Sequence, residues 1–202
     1  MNTLLDMAGY PADQVPTMQK RMIEAMQSIP GVASVALVDR IPLNGDVRDG
    51  LIFRDQTTDL RPANAAATSS IIVISPDYLH TAGTALLAGR SFTPHDDKDA
   101  ARVAVINQEF AGRLFGSAAK AIGAYFKVQN GTRIQVVGVA EDGKYANLTE
   151  DPRPAMFLPI LQSPASDTWL VGRSAADAQQ LTMAIKNKLR ELDSGLPSFI
   201  QT

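Results

Sequence analysis

Along the chain, short apolar runs alternate with turn signals, and three periodicities stand out. Thr3 to Met7 is an apolar run closed by Gly9-Tyr10-Pro11 and predicts a strand. Val15, Met18, Met22, Met26 and Ile29 then recur at helical spacing. Asp13 stands at the expected N-cap, and Pro16 falls in the first turn, where a missing N–H costs nothing. Pro30-Gly31 stops this helix, and Val32 to Val38 alternates as a β-branched strand, closed by Pro42 and Asn44-Gly45.

The chain end repeats the pattern. Trp169 to Val171 reads as a short strand, and Ser174 with Asp177 reads as a capping-box-like start with Ser174 as the cap. Ala178, Leu181, Ile185, Leu189 and Leu192 form one stripe that Gly195 ends, and Leu196 to Ile200 predicts a closing strand. Two β-α-β units, one at each end of the chain, are therefore expected to pack into a single lobe.

The middle of the chain is different in texture. Strands are expected at Leu51–Phe53, Ile71–Ile74 and Val103–Ile106. Tyr125–Val128 and Ile134–Val139 should pair across Asn130-Gly131. Short helices are expected from Ser75-Pro76-Asp77 to Gly83 and from Asn107 to Phe115. The expected class is α+β with two lobes. Residues 1–43 and 150–202 form the discontinuous lobe of two β-α-β units, and residues 44–149 form an inserted small α/β lobe.

Composition narrows the function. The 202 residues are 45% hydrophobic and 20% charged with a formal net charge of -2, ordinary for a globular chain. No Lys/Arg cluster is present to displace counterions from nucleic acid, so no nucleic-acid partner is expected. Cysteine is absent, which removes disulfides, thiolate nucleophiles and Cys-ligated zinc. The first residues carry no basic and long apolar signal, and no run is long enough to span a bilayer, so the piece reads as soluble.

Candidate chemistry is sparse. His80 and His95 are the two histidines, and His95 lies in a run with Asp96, Asp97 and Asp99. The run lacks the ligand spacing of a calcium loop and reads as a solvated acidic loop. Gly172 to Ala176 falls one glycine short of a nucleophile elbow. Glu141 and Asp142 beside Gly143 have the composition of a turn. Met18, Met22 and Met26 share the helix's single apolar face and read as core. Catalytic, cofactor-binding and metal sites are all expected to be none, no cofactor is expected, and the chain is read as not an enzyme.

Several stretches follow one another in a fixed order: Ser75-Pro76-Asp77-Tyr78-Leu79, Gly83 and Leu86 to Phe92, then Arg102 to Asn107 and Leu114-Phe115-Gly116. Ala121-Ile122-Gly123, Val136 to Val139 and Pro154 to Pro159 come next, with Ile29 to Val32 and Ile41 to Leu43 upstream. In this order they resemble the MacB-like periplasmic core domain of ABC-transporter permeases of the macrolide-exporter and lipoprotein-release type. The first group resembles that family's "SPDYF…G…LLxGRxF" and the second its "VAVVN…LFG". The likeness spans roughly Tyr10 to Pro197 and is closest to the duplicated permeases of soil bacteria. Thr84-Ala85 departs from the family's commoner apolar residue and proline.

The resemblance implies a porter-like lobe of two β-α-β units with an inserted α/β lobe, on the periplasmic face of the bacterial inner membrane and tethered to it. It implies an ABC nucleotide-binding domain and a second permease copy as partners, and it allows a periplasmic adaptor or outer-membrane partner. The implied role is to couple cytoplasmic ATP hydrolysis to substrate export or to work outside the membrane. The family offers no catalytic residue to carry over. Thr3 and Phe199 should then lie within roughly 20 Å, since both ends must meet neighbouring membrane helices. Two other readings compete: a stand-alone extracytoplasmic module binding a small molecule or peptide, and a hydrolase built on His80 or His95.

Overall fold

The computed structural model of the chain describes residues 2–195, which form ten strands and five α-helices. The methionine stripe forms α1 (Val15–Gln27), whose Val15, Met18, Met22 and Met26 are all buried. Gln14 occupies the N-cap with no side-chain bond, so Asp13 does not cap this helix; Pro16 stands in its first turn, as expected. β1 (Asn2–Leu4) and β2 (Val32–Val38) flank α1 in the chain. Between them lies β10 (Asp167–Ser174), antiparallel to both, so the strands of the first β-α-β unit are parallel but not adjacent. α5 (Ala178–Leu192) packs beside α1, and Ile185 and Leu189 join Leu5, the α1 methionines, Leu37 and Leu170 in one buried cluster. The expected closing strand at 196–200 lies outside the described residues.

Six further strands form a closed hydrogen-bonded circuit. β4 (Ala67–Ile74) pairs with β3 (Asp49–Arg54), β3 with β7 (Tyr125–Val128), and β7 with β8 (Arg133–Ala140). β8 continues to β6 (Val103–Asn107), β6 to β9 (Ala155–Pro159), and β9 returns parallel to β4. Side chains alternate along these strands. Ala104, Ile106 and Met156 enter one cluster with α3 (Gln108–Phe115) and α4 (Ala118–Ala121), centred on Phe110 and Phe126. Val103, Val105, Ala155 and Phe157 enter another with Ala36, Val38, Tyr78 and Leu79. Both faces of β6 and β9 are therefore covered, which explains their unbroken apolar runs. α2 (Tyr78–Ala82) packs on β2 and β10.

The mixed helix and strand content is α+β. The Asn130-Gly131 hairpin forms as expected, with Gly131 at φ 85 and Asn130 Oδ1 accepting the Thr132 N–H. Two strands have no counterpart in the pattern. β9 begins directly after Pro154 and ends on Pro159, which cannot donate to a ladder, yet it completes the circuit. β5 (Leu86–Gly89) is four residues long and irregular at Leu87, too short for a period to show. β9 follows residue 150, yet it pairs with β4 and β6, both from earlier in the chain.

The core gives a first prediction. Met22→Ala should destabilise the domain by about 2–4 kcal/mol through the cavity it leaves, read as a lower urea midpoint with unchanged slope.

Candidate functional site

Residues with chemistry to offer are spread over the molecule. His80 is exposed on α2 and His95 exposed in the loop after β5. Among the described residues, no three His, Cys, Asp or Glu side chains stand where they could share an ion. Ser174 ends β10: its hydroxyl donates to Gly31 O (2.8 Å) and accepts the Ala176 N–H (3.0 Å). The cap of α5 is Asp177, whose Oδ1 accepts from Gln179 N and Gln180 N, which corrects the assignment of the cap to Ser174. Ser174 is displaced because β10 runs on to it, three residues past the Val171 expected from sequence.

Glu141 and Asp142 also act on backbone. Glu141 Oε1 accepts the Ala85 N–H (2.7 Å), and Asp142 Oδ1 accepts the Glu109 N–H in the first turn of α3 (2.8 Å). Two tyrosines are buried near β2, β6 and β9. Burial, with the Asp39 charge adding, pushes the Tyr78 hydroxyl up to about 12, and burial pushes Tyr145 up as well. Both stay protonated at neutral pH and cannot act as bases. The methionine face is closed by β2, β10 and α5, leaving Met22 without exposure.

The acidic run behaves differently from its composition. Asp97 and Asp99 are exposed, but Asp96 is turned inward with a side chain only 6% exposed. Arg90 Nη1 and Nη2 grip it in two bonds of 2.8 Å, and the Thr93 N–H and hydroxyl add two more. The Arg90 bonds hold its carboxyl below the usual carboxylate range. The reading of a solvated loop is thus corrected for this residue; the Arg90 and Thr93 spacing is the signal that sequence offered.

Asp96→Ala should cost about 1–3 kcal/mol, mostly from the Thr93 bonds, because Arg90 is half-exposed and its ion pair is screened. A depressed folded pKa contributes stability above the ordinary carboxyl value and loses it as pH falls through the depressed one. Thermal unfolding from neutral into acid should therefore separate wild type and variant at neutral pH and converge them in acid.

Other buried polar side chains tie distant segments together. Asn107 is fully buried: its Oδ1 accepts from Phe110 N (3.0 Å) and Ala155 N (2.9 Å), and its Nδ2 donates to Arg153 O (2.9 Å). Gln162 accepts from Val103 N and donates to Ala101 O. Gln19 of α1 donates to Ala165 O and to Thr168 Oγ1, which also bonds the Thr3 hydroxyl. Near the two chain ends, the Tyr10 hydroxyl donates to Asp193 just after α5. The segment after β1 and the end of α5 are thereby joined. Phe199, the other partner of the expected close pair of ends, lies outside the described residues.

Open depressions of about 330 Å³ at Arg54, Phe115 and Tyr125 and about 240 Å³ at Arg102, Asn130 and Gln162 offer no nucleophile paired with a base. The polar side chains named above cross-tie segments of the chain.

A family model described as the MacB-like periplasmic core domain matches residues 2–188. The chain belongs to that family. It is thus a MacB-like periplasmic core domain of an ABC-transporter permease, a class of protein that works with ATPase partners. Two solved structures share the fold. The periplasmic region of MacB from Actinobacillus actinomycetemcomitans is 14% identical, with a TM-score of 0.58 over 85% of this chain and 72% of that one. The extracellular domain of the noncanonic ABC-type transporter YknZ from Gram-positive bacteria is 18% identical, with a TM-score of 0.55 over 87% of this chain and 82% of that one. No curated protein sequence matches the chain. Among the described residues, no helix is long and apolar enough to cross a membrane.

The landmarks that carry the resemblance have structural jobs in this MacB-like domain. Gly83 ends α2 at φ 74 in the left-handed region. Arg90 holds Asp96, and Asn107 caps α3 and binds β9. Gly138 admits the Arg90 backbone. Thr84-Ala85, where the sequence departs from the family, is fixed by Thr84 N–H to Leu79 O and by Ala85 O accepting the Glu141 N–H.

Proposed function

We propose that this domain is the extracytoplasmic working part of the permease, coupling cytoplasmic ATP hydrolysis to substrate export or to work on partners outside the membrane, and that it is not itself catalytic. The observation that carries the reading is the family match over residues 2–188. It is supported by Asn107, Gln162, Glu141, Asp142 and Asp177, whose polar groups bond backbone of other segments or helix ends. The partners in this reading are an ABC nucleotide-binding domain and a second permease copy, with a periplasmic adaptor or outer-membrane protein as a further candidate.

The proposal includes two lobes. The porter-like lobe is read as residues 1–43 and 150–202, and the cluster of α1, α5, β2 and β10 supports it. The inserted α/β lobe is the six-strand circuit. The pairing of β9 with β4 and β6 favours a return to the porter-like lobe after β9 over the expected one at residue 150.

Two measurements test the function. In the full permease with its ATPase partner, replacing residues 2–195 by a short Gly/Ser linker should abolish the export phenotype and leave basal ATP hydrolysis within a few-fold. Undiminished export would refute the coupling role. The isolated chain should show no ATPase, esterase or phosphatase turnover. Turnover that survives repurification and disappears in His80→Ala or His95→Ala would overturn the non-catalytic reading.

A further inference from the structure

The chain holds two Asn-Gly pairs, Asn44-Gly45 in the β2–β3 connection and Asn130-Gly131 in the β7–β8 turn, and both are exposed. Such a pair can react with itself: the glycine nitrogen attacks Cγ of the asparagine, and no Cβ on the glycine blocks the approach. By residue type the two pairs are equivalent. The structure separates them. Gly131 N–H is committed to Val128 O (2.9 Å), and Val128 N–H to Thr132 O (3.1 Å) closes the same turn. Gly45 N–H has no acceptor among the described residues, and no atom lies within 4 Å of where a Gly45 Cβ would stand. We infer that Asn44 is a self-modification site, deamidating through a cyclic imide with Gly45, and that the fold protects Asn130 from the same reaction.

The step balances without any oxidant or cofactor. The Gly45 nitrogen forms a bond to Asn44 Cγ and gives up its proton, and the side-chain amide group takes a proton and leaves as ammonia. Water then opens the imide at either carbonyl. Cleavage at Cγ leaves aspartate at position 44; cleavage at the backbone carbonyl leaves isoaspartate, with the chain running through Cγ. Either product adds one negative charge to the chain's formal net charge of -2.

The reacting carbonyl is equally prepared in both pairs. Asp46 N–H donates to Asn44 Oδ1 (2.9 Å), and Thr132 N–H donates to Asn130 Oδ1 (3.0 Å). Each bond folds the side-chain carbonyl back over the following peptide and draws charge onto its oxygen. The contrast therefore rests on the glycine nitrogen and the turn around it. For Gly131 to attack, its bond to Val128 must open at the end of a paired hairpin, Tyr125 to Lys127 against Arg133 to Gln135. Gly45 has no such bond to break. Its segment is fixed on either side, at Leu43 N–H to Tyr145 O and at Arg48 O, which accepts the Ile71 N–H. The extra backbone carbon of isoaspartate must be taken up between those two anchors.

The test incubates the 202-residue chain at mildly alkaline pH, folded and in guanidinium chloride, and follows both sites by proteolytic mapping and mass spectrometry. In the folded chain Asn44 should convert about ten-fold faster than Asn130 or more, a factor that corresponds to roughly 1.4 kcal/mol for opening the turn. In the unfolded chain the two should convert at comparable rates, because only the fold distinguishes them. Asn44→Gln should remove the acidic species that ion exchange resolves from the folded sample. Hydrogen exchange supplies a readout independent of the chemistry: the Gly131 amide should be protected and the Gly45 amide should exchange freely. Equal conversion in the folded chain, faster conversion at Asn130, or a preference for Asn44 that persists unchanged after unfolding would each overturn the inference. So would a Gly45 amide as protected as that of Gly131.

Discussion

Gly138→Val is expected to abolish the cooperative fold or to lower its stability by about 4 kcal/mol or more. Gly138 lies in β8 between β5 and β6, opposite Gly89 on one side and Val105 on the other. A Cβ built there would lie 2.3 Å from the Arg90 carbonyl oxygen, 3.1 Å from Leu86 Cδ1 and 3.2 Å from Val105 Cγ2. A leucine tip can turn aside, but a backbone oxygen moves only if the chain moves. That chain leads directly into the Arg90–Asp96 pair, so relief on one side breaks bonds on the other. Gly112 in α3 is the control, because a Cβ there meets nothing within 4 Å. Gly112→Ala should gain roughly 0.5–1 kcal/mol, since alanine loses less entropy in a helix. Urea unfolding by circular dichroism separates the two. A Gly138→Val midpoint equal to wild type would show that β5 is not packed as described.

Asn107→Leu should cost about 3–5 kcal/mol, although it keeps the number and branching of the side-chain heavy atoms. The loss is in polar bookkeeping. Phe110 N loses its helix cap, and Ala155 N and Arg153 O lose their partners in a site with no exposure, at about 1–3 kcal/mol for each stranded group. β9 should suffer most, because its first residue hangs on this bond. Asn107→Ser keeps the cap and gives up the two bonds to residues 153–155, so it should fall between wild type and leucine. Hydrogen exchange localises the effect: amides of β9 should exchange faster in both variants, and those of the α3 first turn only in Asn107→Leu. Equal protection of β9 in all three proteins would refute the role of Asn107 as the link between β6 and β9.

Local signals were legible wherever the determinant lay within a few residues along the chain. The stripe of Met18, Met22 and Met26 names the buried face of α1, because helical period alone decides which side chains share a face. Pro30-Gly31 and Asn130-Gly131 mark turns through the φ values that only certain residues tolerate. The short helix expected from Asn107 to Phe115 forms, and the order of weak landmarks from Ser75 to Pro159 is enough to point to the family.

Pairing and burial of charge were decided elsewhere. Nothing local says that β10 enters between β1 and β2, or that β9, bracketed by prolines, closes a circuit against β4. Strand partners are chosen by which distant faces bury best together, and short strands carry too little period to reveal them. Asp39 looks like any surface aspartate in sequence. Its carboxylate is buried only because the fold brings the Val73 backbone N–H to it from β4, and a hydrogen bond of this kind offsets the cost of burying a charge.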